Sequence, residues 1–330
     1  MRLLVLGGTE FAGRAVVESA LGRGWEVTVL NRGRHQVPAG VRALTGDRTA
    51  ADGLAALAEG EWDAVVDTWS AAPRAVHEAA RLLRGRAARY VYVSSCSVYA
   101  WPAPAGYDES APVVEGAEPD APQTDYTRDK RGAEIAAVDA FGADRSVLVR
   151  AGLILGPYEN VGRLPWWLGR IARGGPVLAP GPRELPLQYV DVRDMAEWIL
   201  GSVERELSGP YNMISPQGHA TMGSLLDACV RVTGAAAQLR WTEAKVILDA
   251  GIEPWTQLPV WVPAGSDMHD HLHSADVSRA VATGLTCRPV EETVADTWAW
   301  LQEIGGTAPL RADRTPKGLD PEVEAKVLGR

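Results

Sequence analysis

The chain is poor in what would crosslink it or clamp it to a metal. Its three cysteines, Cys96, Cys229 and Cys287, stand far apart among 330 residues and form no metal-type pairs. That excludes a disulfide framework or a zinc site built on thiolates. No apolar run reaches the roughly 18 residues that span a bilayer. The N-terminus has neither the charged region nor the long apolar stretch of a signal peptide. No long basic run occurs and the formal net charge is −9. Nucleic acid is therefore not expected as a partner, because phosphate binding needs clustered Lys and Arg. The expectation is a soluble cytoplasmic protein acting on a small molecule, with no membrane partner and room for a homodimer.

What is present is a regular alternation of short apolar runs and helix-like stretches. Strands are expected at 3–6, 26–30, 41–44, 64–67, 90–94 and 146–150, and helices at 13–22, 51–59, 74–84 and 125–140. This pattern builds βαβ units and a parallel sheet covered on both faces. The predicted fold class is α/β: a doubly wound, Rossmann-like parallel sheet with a smaller mixed α/β substrate-binding cap. Residues 1–155 plus about 187–205 form the dinucleotide-binding part. About 156–186 and 206–305 form the cap, and 306–330 a polar, frayed tail. Within the second half, 164–173, 222–233 and 291–303 read as cap helices and 192–203 as a helix returning to the main sheet. Strands are expected at 187–190 and, in the cap, at 211–214 and 239–241, while 101–123 and the Gly- and Pro-dense 174–186 read as loops.

The first strand runs into Gly7-Gly8-Thr9-Glu10-Phe11-Ala12-Gly13. A glycine turn between a strand and a helix cradles a dinucleotide pyrophosphate: Gly7 makes the turn and Gly13 lets helix and strand approach. Glu10 stands where a third glycine would be expected. The second strand ends at Asn31-Arg32-Gly33-Arg34. A neutral Asn31 replaces the acidic residue that holds the ribose 2′-hydroxyl of NAD. Arg32 and Arg34 offer forks for a 2′-phosphate, which points to NADP, with NAD as the alternative. Asp47, followed by Arg48, is a candidate for the adenine amino group or a simple turn-former.

Tyr126 and Lys130 are spaced i,i+4, which on one helix places them on one face. An ammonium beside a phenol favours the phenolate and makes a usable proton donor or acceptor for an alcohol or carbonyl. Ser95 adds a hydroxyl. Ser94-Ser95-Cys96-Ser97-Val98-Tyr99 resembles the Ser-Ser-x-x-Val-Tyr signature of the extended short-chain dehydrogenase/reductase family. Tyr126-x-x-x-Lys130 is similar to that family's catalytic pair. Arg150-x-x-Leu153-x-x-Gly156-Pro157 and Val190-Asp191-Val192-Arg193-Asp194 match two later family patterns. The opening glycine turn resembles an atypical, epimerase/dehydratase-like branch. The resemblance covers roughly 1–305. It implies that Tyr126 is the acid/base, that Lys130 lowers its pKa and holds the nicotinamide ribose, and that Ser95, more than Ser94, bonds the substrate oxygen.

Two positions depart from the family pattern. Leu153 stands where nucleotide-sugar members carry an Asn that touches the substrate diphosphate, and Cys96-Ser97 replaces the Asp-Glu pair of sugar 4,6-dehydratases. Both favour a less phosphorylated substrate lying against Cys96 and Leu153. Trp166, Trp167, Trp255 and Trp261 are candidates either to line its pocket or to fill the cap core. His269, His271 and His273 alternate and would share one face of a strand, yet no carboxylate pairing supports a metal there. Three readings follow: an NADP(H)-dependent ketone reductase or alcohol dehydrogenase; an NAD-dependent epimerase of a sugar or sugar nucleotide; and a non-catalytic cofactor-sensing or RNA-associated protein. The first is expected.

Overall fold

Alternation of apolar side chains decides the layering. The computed structural model describes residues 1–121 and 124–329. In it β1 (Arg2–Leu6) turns Leu3 and Val5 into one core and Leu4 and Leu6 into another, all four buried. Burial on both sides marks a parallel strand with helices on each face. On one face lie α1 (Phe11–Gly22) and, later in the chain, α5 (Val192–Glu204), which pack Val16, Ala20, Met195 and Ile199 into the first core. The other face carries α2 (Arg74–Leu83) and α3 (Tyr126–Phe141), with Val76, Ala79, Ala137 and Phe141 buried.

The remaining strands of this sheet are β2 (Glu26–Asn31), β3 (Arg42–Thr45), β4 (Trp62–Asp67), β5 (Ala87–Ser95), β6 (Ser146–Ala151) and β11 (Gly209–Met213). Seven strands lie in the order β11-β6-β5-β4-β1-β2-β3, all parallel. This is a doubly wound sheet, and its switch point lies at the carboxyl ends of β1 and β4, where ligands bind in such folds.

The second half forms the smaller mixed unit. Short strands β7 (Ile154–Leu155) and β10 (Val190–Asp191) pair with each other, as do β9 (Pro186–Leu187) and β12 (Ala220–Thr221). β8 (Gly175–Pro180) pairs in parallel with β13 (Ala237–Thr242). Around them pack α4 (Leu164–Ala172), α6 (Met222–Thr233), α7 (Ala244–Asp249), α8 (Asp267–His273), α10 (Val290–Glu303) and α11 (Pro321–Val327), whereas α9 (Ser278–Ala282) packs against β11 of the main sheet, with Ala280 in the first core.

Several expectations need correction. The helix expected at 51–59 is only a 3-10 turn at Ala55–Leu57. Gly53 sits so close to the Asp47 carbonyl that the chain turns there instead of winding on, and glycine weakens a helix by about 1 kcal/mol in any case. The strand expected in the cap at 211–214 is β11, the edge of the main sheet, in register with β6. The loop expected at 174–186 contains β8; in a two-stranded ribbon prolines can sit where the ladder needs no N–H. The strand expected at 187–190 is split between β9 and β10, which pair with different partners. The tail is not frayed: α11 starts on Asp320, whose carboxylate accepts from Glu322 N, with Pro321 at the first helical position. Of the loop at 101–123, the last two residues, Pro122 and Gln123, lie outside the described residues.

Candidate active site

A cavity of about 1100 Å³ opens at the carboxyl edge of the sheet. The glycine turn forms one wall. Gly7 has φ +117°, and a Cβ there would meet the Thr68 hydroxyl at 2.5 Å; a Cβ on Gly13 would meet Gly8 N at 2.6 Å. Both positions therefore require glycine, and the backbone lies bare at the start of α1, where its N–H groups favour phosphate. Gly8, Thr9, Glu10 and Phe11 complete this wall. Phe11 adopts φ +33°, a conformation that side-chain-bearing residues rarely take and that clusters at functional sites. The Glu10 carboxylate turns to His35 (3.2 Å) and is half exposed.

The three catalytic candidates line the same cavity. Tyr126 opens α3 behind Asp125, whose carboxylate accepts from Arg128 N (3.0 Å) as the helix cap. Lys130, one turn on, is buried and its ammonium donates to Trp69 O (2.7 Å) and Val93 O (2.6 Å). An ammonium has three N–H groups, so one is left over. Burial, with Arg311 and Arg314 adding repulsion and Asp67 opposing it, brings Lys130 down to about 7. Tyr126 is 41% exposed, open to the cavity rather than packed. Ser95 ends β5, accepting from Ser97 N (3.1 Å) and donating to Ser97 Oγ (3.1 Å). Ser94 is buried, with a hydroxyl that finds no partner among the described residues.

Asn31, Arg32, Arg34 and Asp47 also line the cavity. Asn31 Oδ1 accepts from Gly33 N (2.7 Å), while its buried Nδ2 has no partner among the described residues. Asp47 accepts from Thr49 N and Thr49 Oγ1, which hold its carboxyl below the ordinary range, with Arg32 and Arg34 adding to the effect. It is thus a turn-former that still faces the cavity. Arg48 is not free for a cofactor phosphate. Its guanidinium forks onto buried Asp67 (2.6 and 2.7 Å) and donates to Ala75 O. These residues fit a dinucleotide: a bare-backbone cradle, with an orphan amide and two cations following Leu30, whose carbonyl accepts from Gly7 N (2.9 Å).

The four candidate tryptophans divide between the two places open to them, cavity wall and cap core. Trp255 lines the cavity, with the Arg163 guanidinium 5.0 Å over its ring. Trp167 and Trp261 are wholly buried in the cap core, and Trp167 donates to Pro259 O; Trp166 packs edge-on against Trp167. The Trp167 indole fills the interior because α4 turns its apolar face inward. Cys96 and Leu153 do line the cavity, but the Cys96 thiol donates to Arg150 O and burial pushes it up to about 12. The alternating histidines lie on helix α8, not on a strand, because Ser266 caps the segment by accepting from His269 N. His269 and His273 lie with ring centroids 5.3 Å apart, one turn from each other, while His271 reaches the cavity; His273 accepts from Gln188 N and burial brings it down to about 4.

Sequence reasoning missed several lining residues. Thr68 and Trp69 follow β4, and their only signal was their place after a strand. Asn160 and Arg163 precede α4, and Arg311 and Arg314 come from the tail. Nothing in the local pattern of that tail announced a return to the sheet edge.

A glycine cradle at the switch point of a doubly wound sheet, with a Tyr and a buried Lys one helical turn apart beside it, defines a dinucleotide-dependent enzyme of the short-chain dehydrogenase/reductase type. The chain belongs to the NAD dependent epimerase/dehydratase family, whose model matches residues 3–215. No curated protein matches the sequence. Among solved structures, WbmG of Bordetella bronchiseptica in complex with NAD and UDP superposes with a TM-score of 0.68 at 18% identity, covering 96% of this chain and 99% of that one. The dTDP-glucose 4,6-dehydratase of Bacillus anthracis in complex with NAD gives 0.65 at 14%, covering 92% and 97%. UDP-glucose 4-epimerase of Thermus thermophilus with NAD gives 0.60 at 21%, covering 92% and 99%. At these identities the likeness is one of fold. Among the described residues, no helix is long and apolar enough to cross a membrane.

Proposed function

We propose that the protein is an NAD-dependent epimerase acting by transient oxidation of a sugar or sugar nucleotide. The observation that carries this reading is that Ser95, Tyr126 and Lys130 share one cavity with the glycine cradle, with volume for a dinucleotide and a second ligand. The family and the nucleotide-linked activities of its structural neighbours favour epimerisation over the net ketone reduction expected from sequence. The argument from Leu153 against a phosphorylated substrate weakens as well. Leu153 is apolar and only 2% exposed, yet Arg163 stands in the same cavity as an alternative donor.

A bound nicotinamide would supply the hydride acceptor and donor. Tyr126 Oη takes the proton from the substrate hydroxyl and later returns it. Ser95 Oγ, prearranged by Ser97, bonds that same oxygen. Lys130, with two N–H groups held by carbonyls, would offer its remaining one to the cofactor's ribose. NAD is the cofactor of this reading; NADP is the alternative that Arg32 and Arg34, both lining the cavity, would favour.

Tyr126→Phe is expected to leave dinucleotide binding nearly intact and lower turnover by about 10²–10⁴, the worth of a positioned acid. Turnover is followed by incubating the enzyme with UDP- and dTDP-sugars and resolving the epimers. Epimer formation without net change in dinucleotide redox state is the expected result. Stoichiometric NADPH consumption with uncharged ketones would instead establish the reductase reading, and undiminished turnover in Tyr126→Phe would remove the tyrosine from the chemistry.

A further inference from the structure

Part of the cavity lining is a segment beyond the reach of the family model: residues 309–314 follow the cap and line the cavity throughout. They are anchored on both sides. Arg311 N donates to Asn160 O (3.0 Å), and downstream Gly318 N donates to Thr256 O (3.0 Å). Beyond that, α11 is docked by the buried pair Arg170–Glu324 (2.7 Å). The strap therefore has a defined position over the site.

Its position gathers more positive charge than the one carboxylate it brings can balance. Lys130, Arg163, Arg311 and Arg314 all line this part of the cavity, and the carboxylate the strap brings with it is Asp313. Asp313 is already forked by Arg311 (2.6 and 2.7 Å), and it is also the acid nearest Arg314, at 3.7 Å. Arg163 makes no ion pair among the described residues. The Nε atoms of Arg163 and Arg314 are both buried without a hydrogen-bond partner. Burial lowers Arg163 below the ordinary guanidinium range, Glu159 opposes this, and Arg314 and Arg311 lower it further. Repelling, partly desolvated cations with unused donors are costly unless an anion completes them. Planar forks of this kind match phosphate oxygens.

We propose that Arg163, Arg311 and Arg314 form an oxyanion site, completed by the C-terminal strap, that takes a phosphate or diphosphate group beside Tyr126. The Arg314 guanidinium lies 5.9 Å from the Tyr126 ring, so the bound group sits next to the reacting centre. The site deepens the epimerase reading and rests on it for the identity of the cavity. It supplies the donors that Leu153 does not. The phosphate has two sources, the dinucleotide's own pyrophosphate or a phosphorylated substrate.

The test is calorimetric titration of the full chain with NAD⁺, NADP⁺, UDP and inorganic pyrophosphate. Arg163→Gln and the double variant Arg311→Gln/Arg314→Gln are expected to raise Kd at least about tenfold, the worth of one charge-assisted hydrogen bond. A loss confined to UDP and pyrophosphate assigns the site to the substrate; a loss confined to the dinucleotides assigns it to the cofactor. Added NaCl should weaken the wild type more steeply than the double variant. Should the Gln variants unfold, Arg314→Lys keeps charge and stem while losing the fork, and should bind about threefold more weakly. Kd values within about twofold of wild type for all four ligands, in folded variants, overturn the proposal, as does a wild type that binds none of them. Because binding is read without turnover, a failure of the Tyr126 chemistry would leave this result standing, and the reverse holds too.

Discussion

Lys130 shows how much a single buried group can say. Its ammonium is held by two carbonyls and faces no carboxylate within ion-pair distance among the described residues, and burial lowers it to about 7. A free lysine titrates near ~10.4. Between those values the unfolded chain binds more protons than the folded one, so stability rises with pH across about 7 to 10, and the full cost of burying the charge is felt below 7. The urea midpoint of the wild type should therefore climb from about pH 7 to about pH 9 relative to Lys130→Met. Parallel curves for the two proteins would show that the group does not titrate in this window. The cofactor question also belongs to single residues. Replacing Arg32 and Arg34 by Ala should weaken NADP⁺ by about 2–3 kcal/mol and change NAD⁺ little, because only the former presents a 2′-phosphate. If the wild type binds NAD⁺ more tightly to begin with, Asn31 is not a marker of NADP preference.

At the scale of elements, the entrance to α4 carries a titratable cap. Glu159 is fully buried, and its carboxylate accepts from Arg163 N (2.6 Å) and Leu164 N (3.1 Å). Burial raises it to about 7, with the Arg163 charge and both backbone bonds pulling the other way. A raised carboxyl binds its proton more readily in the folded state. Its contribution to stability is complete below the unfolded value of about 4.3 and is lost as pH rises through about 7. Glu159→Gln cannot ionise, so its thermal midpoint should fall less than that of the wild type between about pH 5 and pH 8. Because Arg163 starts in the same turn, a wild type that shows no such loss would indicate that the Glu159–Arg163 pair stays charged throughout. The long helices and central strands were legible because their periods of 3.6 and 2 survive burial on one or two faces. The 3-10 turn at Ala55–Leu57 was not, because one glycine packed against a carbonyl overruled an alanine-rich stretch.

For the whole molecule, the decisive piece is the return of the C-terminus. Arg170 on α4 and Glu324 on α11 are both buried, and Glu324 also accepts from Leu178 N on β8 (3.0 Å). Glu324→Ala would strand a buried guanidinium and should cost about 3–5 kcal/mol, the penalty for removing one partner of a buried pair. Denaturant unfolding measures it. A loss below about 1 kcal/mol would mean that α11 docks through Leu319 and its apolar neighbours rather than through this pair. The same variant should loosen the strap at 309–314 and weaken ligand binding, although Glu324 itself is not a cavity-lining residue.

The glycine turn, the Tyr126–Lys130 spacing and Ser95 at a strand end could be read directly, because each is a local pattern whose chemistry depends on neighbours one turn or one strand away. The parallel sheet followed from the same kind of local signal. Other features were settled only by folding. Arg48 was lost to Asp67, and Trp167 and Trp261 to the cap core, because burial depends on what packs opposite, which a linear pattern does not state. The helical form of the His269–His273 segment turned on a single serine cap. The assembly of Arg163, Arg311 and Arg314 joins residues some 150 positions apart, and the strap's bonds to Asn160 and Thr256 together with the docking of α11 hold them in place. Long-range contacts of that kind leave no periodicity to read, since their energy comes from one buried ion pair and a shared core rather than from any repeating pattern.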